Sequence, residues 1–71
     1  MTETRQERFK RLAIYRTNAV LEKLRILGNL SNKANYDYSE EEVRKIFKAV
    51  DDQLRIVRNK FSRSIKREFK L

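Results

Sequence analysis

The chain is 71 residues long, carries a formal net charge of +8, and contains no cysteine, histidine or proline. A chain of this size seldom builds a self-sufficient core, and the composition offers neither disulfides nor the usual metal staple, so more than one domain is excluded and self-association is the natural remedy. The excess of 18 Lys and Arg over 10 acidic residues points to a partner such as nucleic acid, a larger acidic protein or an anionic membrane surface.

With a single glycine, Gly28, the chain has almost no turn or strand punctuation and reads as all-α. Thr4 followed by Glu7 fits a capping box, with Thr2 as a competing start. Phe9, Ala13, Val20, Leu24 and Leu27 recur at helical spacing, Leu12, Ala19, Ile26 and Leu30 form a second row, and Ile14 and Leu21 widen the stripe. So wide a stripe needs more than one neighbouring helix. These signals predict a first helix over about residues 4–28. Gly28 suits the left-handed position that ends a helix, with Leu30 folding back on the last turn, although the helix has room to run a turn further.

Residues 29–38 hold three asparagines and a serine without sustained period and read as a connection. Ser39 and Glu42 make a second capping box, Tyr38 is placed to staple Val43, and Glu40 and Glu41 suit the positive end of a helix dipole. Val43, Ile46, Phe47, Val50, Leu54, Val57, Phe61 and Ile65 then repeat every three to four residues, which predicts one long amphipathic helix over about residues 39–70. The expected fold is an antiparallel αα-hairpin with a long second helix, forming one domain over residues 1–71 and dimerising into a four-helix bundle. Leu12, Ala19, Ile26, Phe61 and Ile65 are the expected interface residues.

Charge is uneven along the chain. Residues 1–38 hold eight basic and four acidic side chains, residues 39–57 four and five, and residues 58–71 six and one. A hairpin would gather the two basic segments at its open end, making Arg5, Arg8, Arg11, Arg58, Arg63, Lys66 and Arg67 the candidate nucleic-acid-binding residues. Cations late in the second helix also suit its dipole, whereas those early in the first oppose theirs, so local stability does not account for the latter.

No histidine, cysteine or carboxylate pair in a cleft is on offer, so no catalytic residue, metal or cofactor is expected and the chain reads as a non-enzymatic binding protein. Asp51 and Asp52 read as solvated carboxylates pairing with Lys48 or Arg55, the Ser31, Asn32, Lys33 and Asn35 cluster as loop backbone support, and Tyr36 as cover for the turn. The first eleven residues lack the apolar stretch of a secretory signal and no run approaches membrane-spanning length, so a cytoplasmic location is the expectation.

The stretch from Leu24 to Phe61, with its Gly-Asn-Leu-Ser-Asn turn and its Tyr-x-Tyr-Ser-Glu-Glu helix start, resembles a segment shared by small basic helical proteins of bacteria and mobile elements. It covers about half the chain. The resemblance implies a bacterial or phage-type origin and transfers no activity. The leading functional expectation is sequence-tolerant nucleic-acid binding through the phosphate backbone. Its rival is a protein-interaction module that docks its apolar seam onto a larger partner, and a peripheral membrane helix ranks last.

Overall fold

The computed structural model describes residues 2–65. The chain is all-α, with helix α1 at Arg5–Gly28, a short 3₁₀ turn at Asn29–Ser31 and helix α2 at Glu40–Ile65. It divides into two units, Met1–Asp37 and Tyr38–Leu71, each built on one long helix. The part of the second helix expected beyond Ile65 lies outside the described residues.

Both helices start where their capping boxes place them. The Glu7 N–H donates to Thr4 Oγ1 at 3.0 Å and the Thr4 N–H donates to Glu7 Oε1 at 2.8 Å. In the second unit the Glu42 N–H donates to Ser39 Oγ at 3.1 Å and the Ser39 N–H to Glu42 Oε1 at 2.8 Å. Each box satisfies two backbone donors reciprocally at the end where a helix leaves four without partners. Tyr38 and Val43 are both half-buried.

Gly28 does not take the left-handed conformation expected of it. Its dihedrals are φ −61° and ψ −25°, within the right-handed helical region, and no described residue has a positive φ. The stop is made instead by Asn29, whose N–H reaches the carbonyls of Arg25, Ile26 and Leu27 as the helix tightens into the 3₁₀ turn. That tightening satisfies the orphan carbonyls without a reversal of φ, so the position has no need of glycine's freedom.

No described residue is buried. The two helices differ in how their apolar residues are arranged. In α2 most of them gather in one narrow seam, with Ile56 on another side, whereas in α1 they spread around the circumference in two sectors. Phe9, Val20 and Leu27 belong to one sector and Leu12, Ala19 and Ile26 to the other. Between them runs Arg5, Arg16 and Lys23, spaced eleven and seven residues apart and so stacked on one line of the helix. The two apolar rows are therefore parted by cations rather than merged into one wide stripe.

Candidate nucleic-acid interface

The acidic side chains decide which cations remain available, and nearly all of them are engaged close by in sequence. Glu7 and Glu42 serve the caps, and the backbone N–H bonds they accept hold both carboxyls below the usual range. Glu3 accepts two hydrogen bonds from the Arg11 guanidinium, at 2.8 and 3.0 Å, and lies 3.8 Å from Arg8 Nε. The Arg11 bond is the main cause of a lowered Glu3 pKa, and Glu3 raises that of Arg11 in return. Glu22 pairs with Arg25, which lowers its pKa in the same way. Arg44 lies 3.9 Å from Glu40 and 3.2 Å from Glu41. Asp52 accepts from Lys48 at 2.9 Å and from Arg55 at 3.0 Å, the pairing expected of this carboxylate, and its pKa is lowered chiefly by the Lys48 hydrogen bond.

Arg8 and Arg11 therefore stand differently from the expectation. Local structure does account for them, because Glu3 answers their charge at the helix start, where unrelieved cations would oppose the dipole. The signal was hard to find: Glu3 precedes the cap and lies eight residues from Arg11, outside the three- and four-residue spacings at which helical pairs are sought. Both guanidiniums remain exposed, and such surface pairs yield readily to a competing phosphate.

The remaining cations of the two helices are exposed and form no ion pair among the described residues. They are Arg5, Lys10, Arg16 and Lys23 on α1, and Lys45, Arg58, Lys60 and Arg63 on α2. On α1, Arg5, Arg16 and Lys23 make the line described above. On α2, Arg58 and Arg63 are five residues apart and leave the helix on different faces, so the basic segment encircles the helix rather than forming a strip. Lys66 and Arg67 lie outside the described residues.

Among the expected interface residues, Leu12 is half-buried, whereas Ala19, Ile26, Phe61 and Ile65 are exposed. A surface depression on α1 is lined by Ala19, Val20, Lys23, Leu24 and Leu27. A second, on α2, is lined by Val43, Arg44, Phe47, Lys48, Asp51 and Asp52.

The connection is occupied with its own backbone. Asn32 Oδ1 accepts from the Ala34 N–H at 2.9 Å, and the Asn32 carbonyl accepts from Asn35 and Tyr36 at 3.1 and 3.0 Å. That makes Asn32 the organiser of the turn, with Tyr36 tied in through its backbone and its ring exposed. Among the described residues no group of three or more Asp, Glu, His or Cys is placed to hold a metal ion, and no helix is long and apolar enough to cross a membrane. No protein-family model, no curated protein and no solved structure matches the chain.

Proposed function

We propose that the protein binds nucleic acid through its phosphate backbone, as a helical-hairpin dimer whose cations lie along α1 and around the end of α2. The observation that supports this most is the division of charge. The carboxylates of the helices are largely committed to caps and short-range pairs, while Arg5, Lys10, Arg16, Arg58, Lys60 and Arg63 stand exposed with no ion pair among the described residues. A helix surface of this kind supplies point charges without base-reading geometry, so contacts are sequence-tolerant. In the hairpin, α1 uses its two apolar sectors to touch two neighbours, as a helix in a four-helix bundle does.

Titration of labelled duplex DNA and RNA at several salt concentrations tests this reading. If four or five phosphates are neutralised, the logarithm of affinity falls against the logarithm of salt with a slope of about −4, at about 0.9 counterion released per contact. Arg5→Gln with Arg63→Gln flattens that slope by about two units for each protomer in contact with the duplex and leaves helicity unchanged. Absence of binding at low salt rejects the reading and favours docking onto a larger protein, for which the exposed apolar seam of α2 is the specific support.

A further inference from the structure

The seam of α2 has an internal order that hydrophobic periodicity alone does not require. Its core positions follow alternating steps of four and three residues: Val43, Phe47, Val50, Leu54, Val57, Phe61. In heptad terms the large residues Phe47, Leu54 and Phe61 all occupy one core position, and the valines all occupy the other. The steps between these positions also read the same from either end, with Asp52 at the midpoint, while Ile46 and Ile65 flank the core line outside the alternation. The seam faces solvent, with Phe47 53%, Leu54 45% and Phe61 53% exposed.

We infer that α2 pairs with the α2 of a second copy of the chain, antiparallel and in one register: Val43 against the partner's Phe61, Phe47 against the partner's Val57, and Val50 against the partner's Leu54. Antiparallel helices pair one type of core position with the other, so each layer holds one large side chain and one valine, and every layer has nearly the same volume. A parallel pair would instead alternate Phe against Phe with Val against Val. Overfilled and underfilled layers would then follow one another in an interior that tolerates neither.

Charge selects the same orientation independently. The first turn of α2 is acidic, with Glu40, Glu41 and Glu42, and Arg58, Lys60 and Arg63 lie toward the other end. Antiparallel pairing sets each acidic end beside the partner's basic end and opposes the two helix dipoles, whereas parallel pairing sets like against like. Arg44, which meets the partner's Arg58 at one level, already has Glu40 and Glu41 against it, so the Arg58 guanidinium approaches a net negative group. One unfavourable contact is built in, because Asp51 falls beside its own mate near the two-fold axis.

The pairing rests on the dimer contained in the proposed function and not on its ligand. Measurements on nuclease-treated full-length protein therefore separate failure of the one from failure of the other. The chain has no cysteine of its own, so single cysteines report contacts directly. Mixing Val43→Cys with Phe61→Cys and oxidising mildly is expected to give the mixed 43–61 disulfide as the main product. A majority of 43–43 or 61–61 disulfide overturns the register, because a bridge forms only where Cα atoms come within about 7 Å. Sedimentation of the unaltered protein is expected to show a dimer, and Asp51→Asn to tighten it by about twofold through removal of the like-charge contact. A monomer up to millimolar concentration, or an Asp51→Asn dimer no tighter than the parent, also overturns the proposal.

Discussion

Helices α1 and α2 are of similar length, 24 and 26 residues, yet they are organised for different surroundings. Helix α2 collects most of its large apolar residues along one line, with Ala49 and the exposed Ile56 on another side. Helix α1 has apolar residues on most sides, parted by the line of Arg5, Arg16 and Lys23 and, elsewhere, by Arg11, Asn18, Glu22 and Arg25. What matters is arrangement rather than apolar content. A seam suits close packing along one line, and two sectors suit two neighbours.

The contrast is most exposed at Leu54 and Leu21. Leu54 lies at the centre of the α2 seam, and Leu21 lies on α1 well away from the line of Phe9, Val20 and Leu27. Leu54→Ala is expected to lower the stability of the assembled protein by about 2–4 kcal/mol, the ordinary cost of emptying a covered core position. Leu21→Ala is expected to cost clearly less. Thermal melts at fixed protein concentration compare them, and equal losses would mean that the seam is no more covered than the flank of α1.

A smaller effect is expected at the end of α1. A Cβ built on Gly28 meets nothing within 4 Å, and the backbone there is already right-handed. Gly28→Ala should therefore raise stability by up to about 1 kcal/mol, the conformational entropy glycine forfeits in a helix. A loss on melting would restore the left-handed stop.

Acid gives the smallest and most diffuse signal. Glu3, Glu7 and Glu22 in the first unit, and Glu42 and Asp52 in the second, all have lowered pKa values. A carboxylate whose folded pKa is depressed contributes its stability above the unfolded pKa and loses it as pH falls through the folded value. Far-UV circular dichroism should thus hold level near neutrality and decline beneath the ordinary carboxylate value of about 4. If Thr4→Ala and Ser39→Ala leave the decline unchanged, the caps are not its source.

Much of this was legible in the sequence where the deciding groups are close neighbours. Thr4 with Glu7 and Ser39 with Glu42 mark both helix starts because a capping box is complete within four residues. Asp52 between Lys48 and Arg55 was readable for the same reason. Gly28 was misread because glycine is compatible with either hand of backbone, and the choice rested on whether the Asn29 N–H could reach back to the carbonyls before it. The separation of the two rows on α1 was present in the spacing of Arg5, Arg16 and Lys23, yet a count of apolar positions alone passes over the cations between them. Whether the cations gather at one end depends on the placement of one helix against the other, for which no local signal exists.

The two capping boxes have a further consequence for how quickly the chain finds its fold. Each helix carries its own start signal, and its side-chain pairs close over spans of three to eight residues. Helix formation over such spans takes about a microsecond or less and needs no distant segment of the chain. The slow step is left to the encounter that covers the apolar faces. If that encounter joins two chains, the folding rate climbs with protein concentration; if it joins two helices of one chain, the rate is the same at every dilution.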